Sequence, residues 1–441
     1  MSSTEKKSLP IVPIATMIIL FAMISFVTNL AAPIGVIWKN QPALEGSNFL
    51  GMLGNMMNFL AYLFMGIPAG KMLTKIGYKK TALVAIAVGF LGVFIQYLSG
   101  VLGVGAELFS LPANFYVYLL GAFVAGFSVC MLNTVVNPML NLLGGGGNRG
   151  NQLIQTGGTF NSLTGTLTPL FVAALIGQIT PATAITDVNL VLFIAMGVFA
   201  VAFIALSFVK IEDPKTSSKA NVTYEHSPWA FRHFILGAIG IFVYVGVEIG
   251  IPGTLNFFLA DVTDKGAGLD PKIATSIGGS VAATYWFLML IGRFLGSIIG
   301  GKVSSKLMLT GASGLGIAFV LLAMFLPRIM TSMPVFTGSS FAMVDVPLAA
   351  LLLVLCGLCT SIMWGGIFNL AVEGLGKYTA AASGIFMMMV VGGGVLPLIQ
   401  NKVADMSTYM TSYWVIVLGL AFLLYYALIG SKNVNKDIPV D

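Results

Sequence analysis

One carboxylate, Glu248, stands in FVYVGVEIGIPG (242–253), a run otherwise built of apolar residues and glycine. A charge at the centre of a lipid-embedded run costs about 2.5–3.5 kcal/mol, so it must face a cavity or a partner, and residues kept at such positions are functional by default. Gly246 and Gly250 flank it, and Pro252-Gly253 follow within a turn. That pattern predicts a broken helix, and broken helices line binding sites in membranes. The competing reading is a protonated or hydrogen-bonded Glu that ties two helices together.

Amides supply the second kind of chemistry. Asn133 and Asn137 are four apart and share one face of a helix. Gln152, Gln155 and Thr159 make a similar stripe, with Asn161 beside it, and Asn256, Asn369 and Gln400 offer the same groups further along. Amides can serve as plain glue between membrane helices, at about 0.6 kcal/mol per contact. Stripes on two neighbouring helices favour the wall of a cavity instead. Tyr244, Tyr285, Trp286 and Trp364 fall at mid-run positions, where an aromatic ring can act as a platform, whereas Trp38, Trp229 and Trp414 fit interfacial belts.

The elements that must hold these residues are membrane helices. The 441 residues are 57% hydrophobic and 9% charged, against about 25% charged in soluble proteins, so lipid covers most of the surface. Twelve mostly apolar segments are long enough to span a bilayer: 11–38, 49–74, 81–100, 114–143, 151–179, 187–210, 229–261, 273–300, 303–327, 346–375, 380–400 and 407–431. Alternating the connections with the N-terminus inside puts 17 of the 22 Lys and Arg residues on the cytoplasmic side, as retention of cations there requires. Both termini are then cytoplasmic. The net charge of +6 belongs to that face and points to no nucleic acid.

The longest polar connection, 211–228, separates six spans (1–210) from six more (229–441). GKMLTKIGYKK (70–80) after span two has a counterpart in GRFLGSIIGGKVSSK (292–306) after span eight. A repeated half with a central cytoplasmic linker is the plan of a two-halved transporter. Other chemistries drop out. Cys130, Cys356 and Cys359 lie in apolar runs and form no disulfide framework, and the C-x-x-C lacks a βαβ setting. His226 and His233 have no matched partners for zinc. GGGGNRG (144–150) follows a membrane helix, not a strand, and reads as a turn rather than a nucleotide site. The apolar run after the basic start is too long for a signal peptide and reads as a retained first span.

These stretches resemble the major facilitator superfamily. GKMLTKIGYKK is similar to its loop 2–3 signature, with Gly70, Lys75, Gly77, Lys79 and Lys80 in place and Thr74 where an acid is expected. NPMLNLLG (137–144), TFNSLTG (159–165), FVYVGVEIG (242–250), YWFLMLIGRFLGS (285–297) and IFNLAVEGLGKYT (367–379) resemble its fucose/glucose–galactose/hexose permease branch. The departures are specific. Span one offers Thr28 and Asn29, and span four Asn133, where fucose-type members carry acids; Gln155 and Gly158 stand where Asn and Gln are expected.

The resemblance implies an all-α membrane protein of two six-helix halves that imports a neutral monosaccharide by alternating access. It is not an enzyme, it needs no cofactor beyond a co-transported Na⁺ or H⁺, and it works as a monomer in lipid of the bacterial inner membrane. Asn133, Asn137, Gln155, Asn161, Glu248, Tyr285, Trp286, Trp364 and Asn369 are the expected sugar contacts. Glu248, Asn29 and Asn133 are the coupling candidates, with oxygens of Asn29, Thr28 and Asn133 as a possible Na⁺ set. Arg293 and Glu373, with Lys75 and Lys79, are expected at the inner gate. The lost acids also fit an uncoupled uniporter, and a transport-inactive sugar sensor is the more distant alternative. Which sugar is carried, and which ion, stays open in the sequence.

Overall fold

Helices end where the sequence can no longer face lipid. The protein, as a computed structural model, is described over residues 10–144, 147–177, 179–180, 182–211, 226–299, 303–326, 329–336, 340–435 and 437–439. The first six long helices are α1 (Ile11–Lys39), α2 (Asn48–Ile76), α3 (Tyr78–Leu98), α4 (Ala113–Leu143), α5 (Gly147–Ile176) and α6 (Asn189–Phe208). After the linker come α7 (Arg232–Ala260), α8 (Ala274–Ile299), α9 (Ser305–Phe325), α10 (Leu348–Thr360), α11 (Met363–Val372), α12 (Thr379–Met389), α13 (Gly392–Met406), α14 (Tyr409–Ser412) and α15 (Trp414–Tyr425). Paired end to end, α10–α11, α12–α13 and α14–α15 each make one span, giving, among the described residues, twelve helical spans long and apolar enough to cross a membrane. Most of linker 211–228 lies outside the described residues. The end of the molecule where α6 stops and α7 starts is called the linker end below, and the opposite one the far end.

Local chemistry sets several boundaries. Ser47 accepts a hydrogen bond from Leu50 N at the start of α2, and Ser304 accepts one from Leu307 N at the start of α9, the side-chain caps that relieve orphan amides. Gly77 joins α2 to α3 in a single residue at φ 84°, a conformation that favours glycine. At the far end two antiparallel hairpins stand on the bundle. One pairs β1 (Glu107–Leu108) with β2 (Leu111–Pro112), the other β3 (Met330–Phe336) with β4 (Phe341–Pro347) in the register Met330 to Pro347.

The expected break beside Glu248 does not occur. Helix α7 runs unbroken through Glu248 and Pro252. Pro252 has no N–H to give the Glu248 carbonyl, yet one lost bond does not open a helix packed on most sides, and nearly all of α7 from Tyr244 onward is buried. Breaks fall instead at Ser361–Ile362 between α10 and α11, and at Val390–Val391 between α12 and α13. The second lies beside Gly392, Gly393 and Gly394, where spans cross at backbone distance: a Cβ on Gly392 would collide with the Phe242 carbonyl. Gly392→Ala should therefore lower stability by about 1–3 kcal/mol or more, whereas Gly384→Ala, with nothing within 4 Å of the new methyl, should be neutral. Thermal unfolding of the two variants in detergent checks this.

Candidate functional site, a polar cavity between the spans

A cavity of about 990 Å³ runs from the middle of the bundle toward the linker end. The first six spans contribute Ser25, Thr28 and Asn29 from α1, Phe59 and Tyr62 from α2, Asn133 and Asn137 from α4, and Thr159 and Asn161 from α5. The last six contribute Glu248 from α7, Trp286 and Arg293 from α8, and Trp364 and Asn369 from α11. Toward the far end the space narrows to a pocket of about 50 Å³ beneath Asn55, Asn256 and Thr275.

Glu248 is held by two groups. Tyr244, one turn earlier on α7, donates its hydroxyl to Oε1 at 2.8 Å, and Arg293 Nη2 lies 3.6 Å from the same oxygen. Arg293 also reaches across to α5, where Nη1 donates to Gly158 O at 3.1 Å and to Ser162 Oγ at 2.8 Å. The guanidinium thus joins a carboxylate on the last six spans to the backbone of the first six. Its fork of donors suits that double duty in a way that a lysine would not. Side-chain exposures of 20% for Arg293 and 12% for Glu248 leave both ions in reach of cavity water.

The amides are partly committed. Asn133 Nδ2 donates to Tyr62 OH at 2.7 Å, and Asn137 Nδ2 to Asn133 O at 3.2 Å. Asn161 Nδ2 donates to Phe21 O at 2.9 Å, bridging α5 and α1. Asn29 turns its NH₂ back to Ser25, and the Thr28 hydroxyl donates to Ile24 O. Asn133, Asn137, Asn161 and Asn29 each engage the amide NH₂ with the protein, and their side-chain carbonyl oxygens can accept from hydroxyls. Trp364 adds a ring to the wall, and the buried Tyr244 meets it edge to face with centroids 6.1 Å apart.

Most of the residues singled out in the sequence converge here, and several stand elsewhere. The ring of Tyr285 is fully buried behind Trp286, and its hydroxyl pairs with Thr360 Oγ1 at 2.8 Å, so it is not among the cavity's lining residues. The Gln155 side chain lies outside the described residues. Glu373 is exposed at the end of α11, where its backbone carbonyl meets the His233 ring, so the carboxylate beside Arg293 is Glu248. Lys75 is exposed, and Lys79 donates to Ser207 O at the end of α6. Sequence reading missed Tyr62 and Ser162, which carry no charge to mark them. It also missed the far-end group around Lys39, Asp261, Asp405 and Tyr409. A signal existed for that group, since Lys39 and Asp261 end spans one and seven.

Twelve spans around a polar cavity that is wide toward one end and closed toward the other define a carrier of small solutes. The chain belongs to the Major Facilitator Superfamily, whose profile matches residues 14–398. It is 32% identical over 432 residues to a glucose/galactose transporter of Brucella abortus biovar 1 (strain 9-941), covering 95% of this chain and 94% of that one. It is 25% identical over 426 residues to the L-fucose-proton symporter of Escherichia coli (strain K12), covering 90% and 87%. A crystal structure of the E. coli fucose:proton symporter, FucP, superposes with a TM-score of 0.67 at 18% identity, over 97% of this chain and all of that one. At that identity the match speaks for the fold.

Removing one member of a buried ion pair strands the other, at about 3–5 kcal/mol when water is excluded. Cavity water softens the penalty here, so Arg293→Met should cost about 2 kcal/mol in reversible unfolding in detergent, and Glu248→Gln in the same background should restore most of it. Additive losses in the double variant would contradict an energetic link between the two residues.

Proposed function

We propose that this protein is a secondary transporter that imports a neutral hexose by alternating access, coupled to a cation that is a proton. The observation that carries the reading is the arrangement at Glu248: one ionisable carboxylate at mid-membrane in a cavity otherwise lined by neutral acceptors, aromatic rings and a single guanidinium. A hexose presents hydroxyls at its edge and C–H groups on its face. Asn133, Asn137, Asn161 and Asn369 supply oxygen acceptors, and Trp286 and Trp364 supply apolar faces. Relatives named as a glucose/galactose transporter and an L-fucose-proton symporter support the substrate class and the ion.

The mechanism follows from the ion pair. With Glu248 ionised, Arg293 is drawn to it while holding α5 through Gly158 and Ser162. A proton on Glu248 removes the attraction, frees the guanidinium, and lets the carboxyl donate to a sugar hydroxyl. Halves 1–210 and 229–441 then rock about the loaded site. A uniporter is the second reading, and the same pair is what favours it: Arg293 already balances Glu248, so the empty carrier can return without an ion.

The linker end is the cytoplasmic one in this reading, which places both termini on the cytoplasmic side of the bacterial inner membrane and makes the present cavity inward-open. A cysteine at Lys219 should then resist an impermeant thiol reagent applied to intact cells, and labelling from outside would refute the orientation. In proteoliposomes, Glu248→Gln should abolish hexose accumulation driven by a proton gradient while counterflow continues. Accumulation at the wild-type level would remove Glu248 from coupling, and gradient-independent uptake by the wild type would establish the uniporter.

A further inference from the structure

The far end is closed by polar groups that no part of the cavity uses. Lys39, the last residue of α1, lies 3.6 Å from Asp261 Oδ2 just beyond α7. Tyr409, the first residue of α14, is the hub between them. Its hydroxyl accepts from Lys39 Nζ at 2.6 Å, and its own proton lies between Asp261 Oδ2 at 2.7 Å and Asn48 Oδ1 at 2.9 Å. Asp405, near the end of α13, binds the start of α2 in the manner of a capping residue supplied from another span. Its Oδ1 accepts from Asn48 N at 2.8 Å, and its Oδ2 from Phe49 N at 2.9 Å and the Ser47 hydroxyl at 2.8 Å. A carboxylate at a helix start meets free N–H groups and the positive end of the helix dipole.

All of these contacts except Tyr409 to Asp261 join the first six spans to the last six. Two more lie below them: Asn55 Nδ2 donates to Gly393 O at 2.9 Å, and the Thr275 hydroxyl donates to Ile179 O at 3.0 Å. At the linker end, by contrast, Lys79 holds Ser207 O and Lys306 holds Leu428 O, each within its own six spans. Lys39 and Tyr409 are 5% and 2% exposed, so these two are packed out of water, where removing one partner leaves the other unsatisfied.

We propose that Lys39, Asp261 and Tyr409, with Asp405 on the start of α2, form a clasp that latches the far end shut and sets the empty carrier's preference for the conformation seen here. This rests on alternating access, because only a carrier that opens at both ends must release the clasp in its cycle. Opening the far end withdraws Asp405 from α2 and leaves Ser47 as that helix's cap. The clasp is not the proton sensor. Burial pushes the Asp261 carboxyl up, but the Lys39 ammonium and hydrogen bonds from Thr263 and Tyr409 outweigh it and hold the group below the usual carboxylate range. A depressed value means that the stabilisation is present at neutral pH and is lost only as pH falls through that value. Lys39, Asp405, Tyr409 and Lys265 are the other charged or titratable groups around it. Mild acid therefore leaves Asp261 ionised.

The test is a distance measurement in nanodiscs, with spin labels on Ala43→Cys and Lys272→Cys, two exposed far-end sites on opposite sides of the clasp; the native cysteines are buried. The unsubstituted clasp should give one dominant short distance, unchanged from neutral to mildly acid buffer. Lys39→Met and Asp405→Asn should each raise the ratio of a longer-distance population by about tenfold, and Lys39→Asp with Asp261→Lys should bring it back toward the wild type. Tyr409→Phe, which keeps the shape of the ring, gives the same reading if Lys39→Met does not fold. An unchanged ratio in Asp405→Asn and Tyr409→Phe would overturn the clasp, as would opening by acid alone or failure of the exchanged pair to reverse the opening. The readout needs no transport, so its failure stays separate from any failure of the hexose and proton reading.

Discussion

A carboxylate at lipid depth must have a counter-charge, and much of the cavity is arranged around that requirement. Glu248 finds it in Arg293, one span away on α8, and the guanidinium uses its remaining donors on α5. One ion pair therefore sets the charge of the cavity and also ties the two groups of six spans together at mid-membrane. Tyr244 fixes the carboxylate's rotamer from the preceding turn. The surrounding amides turn their donors inward to the protein, so the space left for a solute is rich in acceptors and poor in fixed charge. A neutral molecule bearing many hydroxyls fits that balance.

Proline placement supports the same arrangement. A proline within a helix leaves the carbonyl four residues earlier without its usual partner. Pro252 does this to Glu248, and Pro33 does it to Asn29, so the polar residues of spans seven and one each sit four before a proline. Pro397 does it to Gly393, whose carbonyl is then taken by Asn55 from the other six spans. A backbone acceptor released by one helix thus becomes an inter-span contact. The structure absorbs these losses without kinking α7 open, because its neighbours pack against it along most of its length.

Much of the fold was legible because lipid imposes a length and composition that a sequence can hardly hide. All twelve spans could be placed, and so could the residues that gather at mid-membrane, since an acid or a run of amides in an apolar segment is conspicuous. What could not be read was direction. Tyr285 and Trp286 are adjacent in sequence, yet one points into the core toward Thr360 and the other into the cavity. Partner choice was hidden as well. Arg293 and Glu373 look complementary on paper, but Arg293 meets Glu248 because α7 and α8 pack side by side. The helix breaks went unread for a related reason: Gly392 to Gly394 are demanded by a crossing span that only the assembled bundle reveals.

Two polar junctions thus join the groups of spans, one at Glu248–Arg293 in the central cavity, and one at the far end where α1, α2, α7 and α13 meet. In the proposed mechanism the first changes its charge by one proton in contact with the solute, whereas Asp261 at the second stays ionised. Linkage between sugar and proton must then appear reciprocally at the first. The most direct measurement is proton uptake by the purified protein in weakly buffered solution when glucose or galactose is added. If Glu248 carries the linkage, sugar binding draws protons from solution in the wild type and none in Glu248→Gln. Sugar binding with no proton uptake in the wild type, or with the same uptake in both proteins, would contradict it.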